Sequence, residues 1–289
     1  MEQAASTPAV TDPGSTSRGA SARLRSIVVT GASSGLGAEL ALGWAAPGVT
    51  LGLIGRDFDR LRQVASACRE AGSRAEAVSL DLRDRVGLAA WLGWLDREAP
   101  VDLVVANAGI SGSVGPRGEP EPASLVRAQF EVNLLGAVNT IEPLLGPMLR
   151  RGSGQVAIIA SLAALRGHPS APAYHGSKAG LLGYGESLRG WLDPLGIRVT
   201  VVLPGFFASP MSERYRGTKP FRLTAAEAAR RSRDAIERGT ALAAFPWPLA
   251  WGVRLVSILP PRLGDAVFRR FAFEVDPPVR PVRPPEGAG

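Results

Sequence analysis

From Ser26 onwards, short unbroken apolar runs alternate with longer stretches in which apolar positions recur at helical spacing. Ser26 to Thr30 reads as a buried strand and Ala38 to Ala46 as a helix, with glycines at 31, 35 and 37 between them. "VTLGLIGRD" follows as a second buried strand ending at Arg56, and Phe58 to Ala71 as a helix that stops at Gly72. "AEAVSLDL" is a third strand ending near Asp81 and Leu82, Arg85 to Glu98 a helix, and "VDLVVANAG" a fourth strand running into Asn107, Ala108 and Gly109. A Gly- and Pro-rich loop from Ile110 to Pro122 leads to a long helix, "FEVNLLGAVNTIEPLLGPMLRR", that Pro143 and Pro147 are expected to bend or interrupt. "GQVAIIAS" is a fifth strand delivering Ser161 at its carboxyl end. A helix then runs from near Tyr174 to about Leu195, and "IRVTVVLPG" is a sixth strand ending at Pro204 and Gly205. This alternation predicts an α/β fold, a doubly wound parallel sheet of Rossmann type in three layers with right-handed crossovers. Ligands of such sheets lie beyond the carboxyl ends of the strands, where Thr30, Arg56, Asp81 and Asn107 fall.

Composition narrows the picture. A chain of 289 residues with 45% hydrophobic content buries a sizeable core, and a single large domain is the simplest division. One cysteine, Cys68, excludes an internal disulfide framework, and two histidines, His168 and His175, make no metal-ligand cluster by spacing. Residues 1–24 are rich in Ala, Ser, Thr, Pro and Gly and lack the apolar core of a signal peptide, so they read as a disordered lead-in to a cytoplasmic protein. Residues 25–239 form the expected domain, 240–276 an apolar and basic C-terminal extension packing on it, and 277–289 a disordered tail. The net charge of +7 comes without a Lys/Arg run or an aromatic-interleaved basic stripe, which argues against nucleic acid as a partner. From Met211 onwards 13 arginines and one lysine stand against eight acidic residues. A solvated arginine-rich surface is the plain reading, and an anionic membrane or an acidic partner the alternative.

Candidate chemistry lies in three places. Between a strand and a helix, the glycines at 31, 35 and 37 make an anion site, because orphan N–H groups and the helix dipole point at a phosphate. The spacing is Gly-x-x-x-Gly-x-Gly, not the dinucleotide fingerprint Gly-x-Gly-x-x-Gly. The second strand ends where a dinucleotide fold meets the adenosine ribose, and it ends in a cation, Arg56, which fits the 2′-phosphate of NADP better than the free hydroxyl of NAD. Ser33 and Ser34 add hydroxyl donors for the same phosphate; pairing of Arg56 with Asp57 and Asp59 is the alternative. The third place is Ser161, Tyr174 and Lys178. Tyr174 and Lys178 fall on one helix face, and a cation beside a phenol favours phenolate and lowers its pKa from about 10. Only two of the 33 basic side chains are lysines, so Lys178 is a departure from this chain's usual cation; an ammonium reaches both a phenol and a ribose hydroxyl. Ser161 would hold a reacting oxygen as charge develops on it. Asn133 is a polar residue in an apolar helical run, which costs stability unless it is engaged in something polar; a capped or solvent-facing asparagine is the plainer reading.

Taken together, these residues resemble the short-chain dehydrogenase/reductase family in its form with a catalytic Asn-Ser-Tyr-Lys set. The resemblance covers roughly residues 26–211 and is carried by Thr30-Gly-Ala-Ser-Ser-Gly-Leu-Gly37, Asp81, Asn107-Ala-Gly109, Asn133, Ser161, Tyr174-x-x-x-Lys178 and Pro204-Gly205. It implies NADP(H) in preference to NAD(H), held by Gly31, Ser33, Ser34, Gly35, Leu36, Gly37, Arg56, Asp81, Leu82, Asn107, Ala108, Gly109, Tyr174, Lys178, Pro204, Gly205 and Ser209. The last of these stands where relatives often have a threonine. It further implies hydride exchange with a carbonyl or alcohol carbon, Tyr174 as proton donor, Ser161 orienting the oxygen, Lys178 lowering the phenol's pKa, and Asn133 keeping a water for proton relay. Homo-oligomers built on the helices of Asn133 and Tyr174 are also implied. Residues 211–219 are expected to form a flexible substrate lid, and His168 is read as a surface-loop histidine, with substrate contact as the alternative.

Beyond the lid, "TAAEAARRSRDAIERG" reads as a helix with a capping box at Thr224 and Glu227. Thr240 to Val253 carries no charge but contains Pro246 and Pro248 and is too short to span a bilayer. Two readings of 240–276 stand open: it packs over the substrate cleft or a sister subunit, or it lies in a membrane interface with Trp247, Trp251 and Leu255 buried and Arg254, Arg262, Arg269 and Arg270 at head groups. Either favours a small hydrophobic ketone, aldehyde or secondary alcohol as substrate. The contrasting function is a cofactor-binding protein without turnover that recruits a membrane or protein partner through this region.

Overall fold

The structure, a computed structural model, describes residues 24–276; the expected N-terminal lead (up to residue 23) and C-terminal tail lie outside the described residues. Its first half runs β1 (Ser26–Thr30), α1 (Gly35–Trp44), β2 (Thr50–Gly55), α2 (Phe58–Glu70), β3 (Arg74–Ser79), α3 (Arg85–Glu98) and β4 (Leu103–Ala106). Then come α4 (Ala123–Phe130), a π-helical turn (Glu131–Leu135), α5 (Gly136–Arg151), β5 (Gly154–Ile159), α6 (Pro172–Leu192) and β6 (Ile197–Pro204). The described residues end with α7 (Pro210–Glu213), β7 (Tyr215–Arg216), α8 (Ala225–Glu237), β8 (Leu242–Phe245), α9 (Trp247–Ser257), α10 (Pro261–Arg269) and β9 (Glu274–Val275).

Seven strands form one parallel sheet in the order β3-β2-β1-β4-β5-β6-β8. The order reverses between β1 and β4, which opens a crevice at their carboxyl ends. Along β1 the side chains alternate between two cores: Val28 packs with Leu88, Leu92, Ile141 and Leu144 on one face, Ile27 and Val29 with Leu36, Leu40, Leu61 and Ile236 on the other. A sheet covered on both faces needs strands without a polar side, which is why these strands read as unbroken apolar runs.

Three local features depart from the sequence reading. Pro143 and Pro147 do not interrupt α5; the break in α-helical bonding falls earlier, at the π turn that contains Asn133. The two prolines are four residues apart and half-exposed, so the carbonyls they leave unpaired share one outer face. The boundary expected at residue 240 is also displaced, because Leu242–Phe245 pairs with Val201–Pro204 as the seventh strand, and the chain leaves the sheet only at Pro246. At four residues this strand is too short to show periodicity. Finally, the expected lid is not a free loop: β7 pairs antiparallel with β9, which ties residues 215–216 to the C-terminal segment.

Candidate active site

The carboxyl ends of β1 to β6 open on one cavity of about 1740 Å3. At its cofactor end the turn after β1 is built for close approach. Gly31 and Gly35 take φ of 67° and 56°, and a Cβ on Gly37 would lie 2.4 Å from the Gly31 carbonyl oxygen. Ser34 stands extended at the N-cap of α1 without a side-chain capping bond, and no acidic residue occupies the first turn. Ser33, Ser34, Gly35 and Leu36 line the cavity. Free helix N–H groups, hydroxyls and the absence of a Cβ at Gly31 and Gly35 fit a dinucleotide pyrophosphate. Gly37 lies behind this surface and keeps α1 against the turn.

The turn is pinned from β4. Thr30 Oγ1 accepts from the backbone N–H of Asn107 (3.0 Å) and Ala108 (3.2 Å), and Asn107 Nδ2 donates to the Thr30 carbonyl (2.8 Å). Asn107, Ala108 and Gly109 line the cavity, and the Asn107 amide is engaged in holding the turn. At the β2 end, Arg56 is exposed and its guanidinium makes no hydrogen bond or ion pair among the described residues. Asp57 accepts from the Arg60 backbone N–H and bonds its guanidinium (3.0 Å) as N-cap of α2. Asp81 and Leu82 form the next part of the wall. Burial raises the Asp81 carboxyl's pKa, but hydrogen bonds from Arg83, including one of 2.6 Å, outweigh it and hold the group below the usual carboxylate range. Sequence reading overlooked Arg83, which also reaches Glu131 at 3.7 Å.

The reacting end of the cavity joins β5 to α6. Ser161 leaves β5 extended, its Oγ accepts from Ala163 N–H (3.1 Å) and donates to the Pro204 carbonyl (3.5 Å), and its hydroxyl acts on the Tyr174 phenol to favour the charged form. Lys178, four residues on from Tyr174, donates to the Ile159 carbonyl (3.1 Å), its Nζ 5.9 Å from the Tyr174 ring centroid. Pro204, Gly205 and Ser209 close this end from β6; Ser209 Oγ also caps α7 by accepting from Ser212 N–H (3.1 Å). The expected electrostatics need correction. The Tyr174 ring keeps some surface open to the cavity, yet protein surrounds it deeply enough that burial raises the phenol's pKa, with the Ser161 hydroxyl pulling the other way. Burial pulls the Lys178 ammonium down to about 8. The pair thus stands as a protonated phenol beside an ammonium that is mostly charged at neutral pH.

Asn133 is fully buried and lies behind the cavity wall. Its Oδ1 accepts from Ile110 N–H (2.7 Å), and its Nδ2 donates to the Ile110 carbonyl (3.0 Å) and to Ser177 Oγ (2.9 Å). Ser177 Oγ in turn donates to the Tyr174 carbonyl (2.8 Å). The side chain spends its bonding capacity fastening the β4 loop to the turn of α6 that presents Tyr174. Neither plainer reading, capped or solvent-facing, holds. Ser177, one residue before Lys178, was legible only as a serine on a helix.

His168 corrects another expectation. It is buried at 7% exposure, packs against Phe268 and Phe273 with centroids at 5.1 and 4.8 Å, and lines the cavity. Its Nδ1 accepts from Ser170 N–H (3.1 Å), and burial beside His175 brings its pKa down to about 4. A folded-state value below the unfolded one, about 6.5, means that acid favours the unfolded chain: stability is whole above about pH 6.5 and is lost as pH falls towards 4. About 2 kcal/mol should be lost between pH 7 and 5 from this group. Urea midpoints at the two pH values should converge for His168→Asn relative to the wild type, leaving the smaller share due to His175, whose pKa burial also lowers.

The C-terminal segment forms the remaining wall. Leu249, Val253 and Val256 of α9 and Val267 and Phe268 of α10 face the cavity. Arg166 bonds Asp265 (3.1 Å), Ser170 Oγ accepts from Phe273 N–H, Ser113 Oγ from Val275 N–H, and Arg214 bonds the Asp276 carbonyl (2.9 Å). The inner face of 246–276 therefore covers the cleft.

The family model for short chain dehydrogenases matches residues 25–220. The chain belongs to the short-chain dehydrogenase family. This dehydrogenase is 38% identical to an uncharacterised oxidoreductase of Myxococcus xanthus over 85% of its own length and 97% of the relative's. It is 34% identical to the ketoacyl reductase HetN of Nostoc over 63% of each chain. Among solved structures, a short-chain dehydrogenase from Sphingobium yanoikuyae in complex with NADPH superposes with a TM-score of 0.70 at 26% identity, covering 82% of this chain and 97% of that one. The dehydrogenase is accordingly an oxidoreductase with the doubly wound sheet of its family, and its turn after β1 suits a nicotinamide dinucleotide. No helix among the described residues is long and apolar enough to cross a membrane.

Proposed function

We propose that the protein is an NADP(H)-dependent reductase of small hydrophobic ketones or aldehydes. The observation that carries this reading is that Ser161, Tyr174 and Lys178 line one end of a single cavity at the strand ends, with Lys178 Nζ 5.9 Å from the Tyr174 ring centroid and an apolar far wall. The dinucleotide supplies a hydride acceptor or donor at its nicotinamide. Gly31 to Gly37 would seat the pyrophosphate, Asp81 and Leu82 the adenine side, and Lys178 the nicotinamide ribose. In the reducing direction Ser161 Oγ donates to the substrate carbonyl oxygen and orients it, while Tyr174 Oη passes its proton to that oxygen as charge builds. The phenol is protonated at neutral pH, so the proton to be given is present. Asn133 and Ser177 hold Tyr174 in place, Asn133 acting through the backbone rather than at the substrate.

Phe206, Tyr215, Phe273 and His168 stack in sequence around the substrate end, with centroid distances of 5.1, 4.4 and 4.8 Å, and His168 is neutral there. Such walls favour an apolar substrate. The ketoacyl reductase among the relatives supports the carbonyl class. We assign the assembly of copies to the surface of α4 to α6, where Phe130 and Leu135 are exposed. A non-turnover binder would need no phenol aimed into the cavity.

Arg56 supports NADP(H) over NAD(H), since its guanidinium is exposed at the β2 end, attracted to Asp81 but not bonded to it, and a 2′-phosphate carries the matching charge. Arg56→Asp is expected to weaken NADPH binding by roughly tenfold to a hundredfold, about one to two charge-assisted hydrogen bonds. It should leave NADH binding equal or tighter, read by fluorescence titration with both dinucleotides. Equal losses for both would remove Arg56 from cofactor selection.

A further inference from the structure

We propose that the outward face of α9 and α10 is a docking surface for anionic lipid. At roughly 100° per residue, Trp247, Trp251, Leu255 and Ile258 fall on one side of α9, while Leu249, Val253 and Val256 fall on the other and line the cavity. The outer four are 71, 59, 58 and 78% exposed. Single exposed apolar residues are ordinary on a soluble protein; a stripe of this size with two tryptophans is not.

Charge selects the occupant. Arg254, Arg262, Arg269 and Arg270 are exposed and make no ion pair among the described residues. Asp265 is the one acidic residue between positions 246 and 273, and Arg166 already holds it at 3.1 Å. A two-fold contact with a second copy would press these arginines against one another with no carboxylate between them. A lipid surface of negative charge accepts the arginines at its head groups and Trp247, Trp251, Leu255 and Ile258 at the acyl boundary, in the manner of an amphipathic helix lying in the interface plane. The same two helices wall the cavity, so docking would bring the apolar substrate end of the site beside the bilayer. That last consequence rests on the hydrophobic-substrate reading; lipid binding does not.

The test is flotation of the full-length protein with vesicles of phosphatidylcholine, with and without phosphatidylglycerol. The protein should float with the anionic vesicles and remain behind with the neutral ones, and high salt should release it. Each arginine near the surface is worth roughly fivefold in partitioning. Arg254→Glu/Arg262→Glu and Trp251→Glu/Ile258→Glu should therefore each reduce binding more than tenfold, with NADPH binding unchanged as the check on folding. Because no turnover is read, failure of the enzymatic reading would leave this result standing. The proposal is overturned if the wild type does not float, if both double variants float undiminished, or if light scattering shows a dimer that Trp251→Glu dissociates, which would give the face to a second copy.

Discussion

Tyr174→Phe is expected to lower carbonyl turnover by about 10²–10⁴-fold, the usual worth of a positioned general acid. The change removes one hydroxyl and keeps the ring that packs beside His175. Loss of one hydroxyl facing the cavity costs at most about 1 kcal/mol, so folding and NADPH binding should be nearly unaltered. Stopped-flow loss of NADPH absorbance against a panel of hydrophobic ketones measures the fall, and dinucleotide titration checks the site. Retained turnover would dismiss Tyr174 as the acid. The pH profile adds a second handle. The ammonium of Lys178 is present below about 8 and is lost as pH rises through that value. Turnover should accordingly be level around neutrality and decline above about pH 8, with Lys178 rather than the raised Tyr174 phenol setting that limb. Lys178→Arg, whose cation persists, should move the limb upward even as it lowers the rate.

Ser161→Ala is expected to cost about 10²–10³-fold in turnover, the effect of deleting one donor to a developing oxyanion. It has a structural component as well, because Ser161 Oγ accepts the Ala163 N–H and so caps a 3₁₀ turn at Leu162–Ala164, and losing a cap of this kind costs about 1 kcal/mol. The two contributions separate by measurement. Thermal unfolding reports the cap, whereas the kinetic loss should fall on kcat with little change in KM, because the oxygen's charge exists only in the transition state. Ser161→Thr keeps the hydroxyl and should recover part of the rate. A loss confined to KM would make Ser161 a ground-state contact only.

The order of strands and helices, the glycine turn and the spacing of Ser161, Tyr174 and Lys178 were legible in the chain alone. Each is a local property: a two-sided buried strand must be apolar throughout, positive φ at positions 31 and 35 favours glycine, and four residues bring two side chains to one helix face. Tertiary structure decided what depends on neighbours distant in sequence. Asn133 became a buried clasp because Ile110 and Ser177 arrive from two other elements to satisfy it. His168 became a neutral cavity wall because α10 and the segment after it fold over its loop, and β8 joined the sheet because β6 offered a free edge. The phenol of Tyr174 is where local reasoning went furthest astray. A lysine one turn away argues for a lowered pKa, but desolvation depends on everything packed around the ring, and only the folded chain sets that sum.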